Sequence, residues 1–344
     1  MIGRYSVFLV LGAVLNGCAS MAGVSTSPQL DCVLSVEETP GTLAIVDVHG
    51  SVTARIPLGE RPHEVAVSQD GKTAYVSQFG IADYDNRIGT PGDRVIEIDL
   101  ARARRTAEFV LPLPSRGPHG VKLRPGTNEL FVNAEVGGDK MFAFNKRSHR
   151  VLRSFSLPKG THNFVFSSDG ASLFSFAGSD GASRIDPEDG RILAHQNPGS
   201  AIRGLFFTQT GTVLASAKGE ILELRPDDLS IIRRLRAPRP GQFVYLEQWP
   251  NGMIVAPSLG DGGVAIFPAD GRPARFVVTG KAPIFARRGP DGLIYVTNVE
   301  DDHISILSRD GEPLRTISDL VTPNGLGFGR CPSKLGLAKQ GQTV

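Results

Sequence analysis

Tryptophan appears once in this 344-residue chain, as Trp249, and cysteine three times, as Cys18, Cys32 and Cys331. A single indole cannot build the row of stacked aromatics that single-stranded nucleic acid needs. The cysteines form no C-x-x-C pair, which removes thiolate metal knuckles and thioredoxin-type redox chemistry. An excess of one charge is missing too: the net charge is +2, without a Lys/Arg-rich block or stripe. Nucleic acid is therefore not expected as a partner. Reaction-specific motifs are also missing. His63-Glu64 is followed by Val67, not by a second histidine, so there is no H-E-x-x-H. There is no Walker A loop and no G-x-S-x-G elbow. Gly325, Gly327 and Gly329 alternate within a terminal strand pattern and do not make a nucleotide loop.

At the N-terminus, Tyr5 to Leu15 is an apolar run behind the basic Arg4. It is shorter than the roughly 20 residues that span a bilayer. Residues 1–18 read as a secretory signal peptide. Leu15-Asn16-Gly17-Cys18 resembles a bacterial lipobox, with Asn16 where a small or apolar residue is usual. Lipidation of Cys18 and ordinary cleavage near Ser20-Met21-Ala22 both remain open. On either reading the chain is expected in the periplasm or lipid-anchored in the cell envelope, meeting membrane only through that anchor.

Forty glycines and 24 prolines are abundant by contrast, and they fall in short clusters between strand-like runs. Arg61 to Gly80 sets the pattern: a strand, the Asp70-Gly71 turn, and a second strand. Its echoes begin at Pro62-His63, Pro118-His119, Thr161-His162, Ile202-Arg203, Phe243-Val244, Pro283-Ile284 and Pro323-Asn324. After a first interval of 56 residues they recur every 40 to 43. Strand-only repeats of that period predict propeller blades of four strands each. The last unit keeps one strand before a polar tail over 332–344, while 30–58 supplies three strands without an inner one. The expected fold is thus an all-β, seven-bladed β-propeller over 30–331. Its C-terminal strand completes a blade with three N-terminal strands, which removes the open sheet edge.

Closure brings the ends of the mature chain together. Cys32 and Cys331 would lie on neighbouring antiparallel strands, within disulfide reach in an oxidising compartment. The bond would close a loop of about 300 residues, for which the chain-entropy relation gives about 5–6 kcal/mol as an upper figure.

Tyr295-Val296-Thr297-Asn298 spells Y-V-T-N, and the runs from Arg61 and Gly117 follow the same scheme. Over about 30–330 the chain resembles the YVTN-type β-propellers of extracytoplasmic bacterial proteins. The resemblance implies the fold, and a neighbourhood that includes gluconolactonase-type lactonases, surface-layer domains and binding modules. A propeller hosts many chemistries, so function rests on the site.

The start of each inner strand should line one mouth of the central channel. That register holds His63, His119, His162, Arg203, Val244, Ile284 and Asn324. Five of them form a polar arc facing Val244 and Ile284; the next register adds Glu64, Asn163, Tyr245 and Phe285. An apolar wall opposite convergent polar groups suits a small-molecule pocket. Imidazole can act as a base, and Arg203 can hold a carboxylate or an oxyanion. The expected catalytic set is His63, His119, His162 and Arg203, with Asn324, Glu64, Asn163, Tyr245 and Phe285 binding substrate. Hydrolysis of an acidic or lactone substrate fits this set. A non-enzymatic scaffold binding a ligand or an envelope protein is the alternative.

A divalent metal on His63, His119 and His162 is a further option, against which stands their placement on different blades. A gluconolactonase-type calcium site could draw loosely on Glu64, Asn163 and Asn324. The histidines could equally be repeat residues bonded within their loops. Phe79 to Asp93 forms the longest insertion and could cover the mouth; Asp83, Asp85 and Asn86 in it give only a weak calcium signal. Glu135, Asp139 and Glu300 to Asp302 read as turn formers.

Overall fold

A computed structural model describes residues 31–82 and 88–330. The proposed leader at 1–18 with Cys18, the loop residues Asp83, Asp85 and Asn86, Cys331 and the tail at 332–344 lie outside them. The described chain forms seven antiparallel sheets of four strands each, arranged as the blades of a propeller. The sheet that joins the two ends runs Pro323–Gly329, Cys32–Glu37, Thr42–Val46, Val52–Pro57. Cys32 pairs with Gly329 in its register.

Burial follows position within a blade. The second and third strands are packed on both faces, and Ile45, Val76, Val132, Val255 and Val296 are fully buried. Their runs of β-branched residues suit a strand covered on both sides. Outermost strands such as Val151–Ser156 alternate half-buried with exposed residues.

A repeated irregularity aims the inner strands. Pro62 pairs with Gln78 and Val65 with Val76, so His63 and Glu64 together face Ser77. The same bulge sets His119 and Gly120 against Asn133, and Ile284 and Phe285 against Thr297. In the closing blade Asn324 and Gly325 face Val36. Proline opens each of these bulges, where a missing N–H costs no ladder bond. Two residues opposing one break the alternation and re-aim the side chains, a device common next to sites. The residue before each proline takes a left-handed φ: Arg61 at 43°, Gly117 at 64°, Ala282 at 48° and Thr322 at 45°.

The second strand secures the bulge. Ser77 Oγ accepts from the Glu64 N–H at 3.1 Å and donates to the His119 carbonyl at 2.7 Å. Asn133 Oδ1 accepts from the Gly120 N–H at 2.8 Å, and its Nδ2 donates to the His162 carbonyl at 3.2 Å. Each polar side chain thereby satisfies its own bulge and fixes the next blade. The fifth blade departs from the pattern. Its inner strand shrinks to Glu247–Gln248, and Tyr245 bridges in parallel to Phe285 of the following blade. Pro257 in the facing strand accepts from the Val244 N–H but has no N–H of its own to return.

Candidate functional site at the upper channel mouth

The histidines of three consecutive blades form one stack where the inner strands begin, His63 and His119 on bulges and His162 just before the strand Asn163–Phe166. The His63 and His119 ring centroids are 4.1 Å apart, and those of His119 and His162 are 3.9 Å apart. Placement on different blades therefore does not separate them, contrary to the expectation from sequence. Inner strands converge on the axis; the bulge turns the His63 and His119 rings, while the His162 N–H continues the regular ladder onto the Phe176 carbonyl at 2.9 Å.

His119 is fully buried, and neither of its ring nitrogens has a hydrogen-bond partner among the described residues. A buried polar group left unbonded costs about 1–3 kcal/mol. Burial pushes His119 well below its ordinary pKa, and the neighbouring His162, His63 and Lys122 push the same way. Burial lowers His63 as well, opposed by Glu38 and Glu64. His63 Nε2 lies 3.3 Å from Asn324 Nδ2, which also donates to Glu38 Oε2 at 3.1 Å. An amide donor on Nε2 places the His63 proton on Nδ1.

Glu135 is a correction to the sequence reading. It belongs to the strand Glu129–Val136 and not to a turn, and its Oε1 lies 2.9 Å from His162 Nδ1 and 3.8 Å from His119 Nδ1. Arg203 stands at the same register on the following blade, its N–H on the Ser216 carbonyl at 3.0 Å.

Below this tier the channel is bridged. Asn163 Nδ2 donates to Glu64 Oε1 and to the Tyr245 hydroxyl, the latter at 3.1 Å. Tyr245 stacks on Phe285 with centroids 4.3 Å apart and planes 7° from parallel. Residues from blades one, three, five and six thus join across the axis. Lys122 closes the bridge from beneath, its Nζ 2.5 Å from Glu64 Oε2. Burial raises the Glu64 carboxyl, but Lys122, joined by His63 and Arg287, outweighs it, and the group stays below its ordinary pKa. The lower vestibule is a cavity of about 500 Å³ lined by Lys122, Phe166, Glu247, Arg287 and Phe328. Its charges are largely self-compensated: Lys122 holds Glu64, and Arg287 sits 3.5 Å from Glu247.

No family model and no curated protein sequence matches the chain. Solved structures match in shape. A periplasmic gluconolactonase of Pseudomonas aeruginosa superposes with a TM-score of 0.69 at 19% identity, covering 88% of this chain and 100% of that one. Streptogramin B lyase gives 0.65 at 14%, covering 77% and 86%. Kuenenia stuttgartiensis hydrazine synthase gives 0.62 at 17%, covering 84% and 98%. At these identities the likeness establishes a shared propeller fold and nothing finer.

The sequence reading placed His63, His119, His162, Asn324, Glu64, Asn163, Tyr245 and Phe285 along the channel, and the structure groups them in two linked tiers. It missed Glu135, Glu38, Lys122 and Phe79. Phe79 packs edge-on against His63 and His119, at 5.4 and 4.8 Å. Phe79 and Ile81 are both buried, so the loop is rooted in the core beside the mouth. The one available signal was Lys122, a lone charge in the apolar run Val121-Lys122-Leu123.

Proposed function

We propose that the chain is an extracytoplasmic, YVTN-type propeller that hydrolyses a lactone or related acidic ester at the upper channel mouth. The observation that carries this reading is the bridge from Glu64 through Asn163 and Tyr245 to Phe285. It lays a floor across the channel that is polar on one side and aromatic on the other. A scaffold that binds along its rim has no use for such a floor, nor for a buried imidazole without partners. The gluconolactonase among the structural neighbours supports the choice of lactone chemistry.

In this reading the cluster of His119, His162 and Glu135 activates a water for attack on the lactone carbonyl carbon. The ring C–O bond then breaks, and His63 gives its Nδ1 proton to the leaving alkoxide. Arg203 and Asn324 receive the developing oxyanion or a substrate carboxylate. The products are a carboxylate and a free hydroxyl. The leader at 1–18 would deliver the chain across the inner membrane, Cys18 would carry a lipid anchor, and Cys32 would pair with Cys331.

Acid release from a panel of sugar lactones tests the assignment. Arg203→Ala and His119→Ala should each cut kcat/KM at least a hundredfold while the unfolding midpoint stays near that of the parent. Undiminished turnover in both variants, or no turnover of any lactone by the parent, would remove the assignment.

A further inference from the structure

We propose that His119, His162 and Glu135 form a binding site for a first-row divalent cation of the Zn²⁺ class, with the fourth position left open to water or substrate. One ligand atom from each of the three lies within 4.8 Å of the other two. Glu135 Oε1 is 2.9 Å from His162 Nδ1 and 3.8 Å from His119 Nδ1. Metal bonds of about 2.0–2.1 Å in a tetrahedron set ligands about 3.3–3.4 Å apart, midway between those two separations. Adjustments of about half an ångström bring those two pairs to the required spacing, and the third pair lies within 4.8 Å. Two imidazoles and one carboxylate make a nitrogen-rich, oxygen-completed set that suits Zn²⁺ over Ca²⁺ or Mg²⁺.

The second and independent observation is His119 itself. It is fully buried, and both ring nitrogens lack a partner among the described residues. A cation taking a lone pair at that depth would satisfy the ring. The backbone also holds the ligands in place before any ion arrives. The Ser77 hydroxyl fixes the His119 carbonyl and the Asn133 amide fixes that of His162. Supported, pre-oriented ligands are the mark of a built site.

His63 stays outside the set, because its Nε2 is engaged by Asn324. Glu64 stays outside as well, held by Lys122 and Asn163. The sequence-level grouping of three histidines is thus replaced by two histidines and a glutamate. Three protein ligands with an open position is the composition of catalytic sites, whereas structural sites are closed by four. A bound cation would supply the acidity that prepares water for attack at neutral pH. That role rests on the hydrolytic reading of the pocket; the site itself does not.

The test is metal binding by the full-length protein, measured without substrate. Metal analysis after purification and isothermal titration of the chelator-treated protein with ZnCl₂ should give one Zn²⁺ per chain. Glu135→Gln and His162→Ala should each weaken that binding at least a hundredfold, and Co²⁺ loading should give the absorption bands of a tetrahedral site in the parent alone. Should His162→Ala not fold, Glu135→Gln, which keeps the shape of the side chain, decides. Absence of a stoichiometric site in the parent, or unaltered binding in Glu135→Gln, overturns the proposal. Zn²⁺ bound without turnover of any lactone would keep the site and remove the hydrolytic reading. Turnover that survives full removal of metal would keep the hydrolytic reading and remove the role of the cation in it.

Discussion

Glu64 and Lys122 are the ion pair on which the channel floor depends. The carboxylate is almost wholly buried and the ammonium three-quarters so, with 2.5 Å between them. Removing one charge strands the other, whereas removing both leaves neutral groups in the same space. Lys122→Met should lower stability by about 3 kcal/mol in denaturant titrations, toward the lower end of the range for a broken buried pair. The double variant Glu64→Gln with Lys122→Met should recover most of the loss, because the introduced glutamine keeps an oxygen for the Asn163 amide. A double variant as unstable as the single one would mean that Lys122 acts through packing instead.

At the scale of the element, the bulge is what converts a strand edge into a site. It directs His63, His119 and Asn324, and it relies on small residues beside them. A Cβ on Gly120 would run into Asn163 Oδ1 and fall 2.5 Å from Asn133 Oδ1. Gly120→Ala must therefore displace the Asn163 bridge or the Asn133 clamp on His162. A destabilisation of about 1–3 kcal/mol is expected from such overpacking, together with loss of lactone turnover. Full activity at reduced stability would show that whichever of the two is displaced plays no part in turnover. This scale also marks what the sequence could disclose. The Asp70-Gly71 turn, the Pro-His openings and the 40-residue recurrence are local signals, and they gave strands, blades and the mouth register. Glu135, Lys122, Glu38 and Phe79 act across blades. Lys122 reaches a partner 58 residues away in the preceding blade, and Glu38 of the closing blade accepts from Arg61 Nη1 at the start of the first blade. No local periodicity encodes the angle at which one blade presents a side chain to the next. For that reason the histidines looked too far apart and Glu135 looked like a turn residue.

For the whole molecule the decisive contact is the sheet shared by the two ends of the described chain. Cys32 pairs with Gly329, two positions before Cys331. A Cys32–Cys331 bond would lock the ring against opening at its seam, with a chain-entropy contribution of up to about 5–6 kcal/mol. In the oxidised protein neither thiol should react with an alkylating reagent in denaturant until reductant is added. Reduction should lower the unfolding midpoint markedly. Full alkylation of Cys32 without reductant would exclude the bond.

In the proposed reading the Asn163 bridge separates the working upper mouth from the lower vestibule. The most direct measurement is a crystal structure of the protein soaked with a sugar acid, the product class of lactone hydrolysis. Bound product should lie above the Asn163 bridge, its carboxylate toward Arg203 or Asn324 and its opened carbon chain against Tyr245 and Phe285. Product held only in the lower vestibule, against Lys122 and Arg287, would contradict the assignment of the upper mouth as the working site.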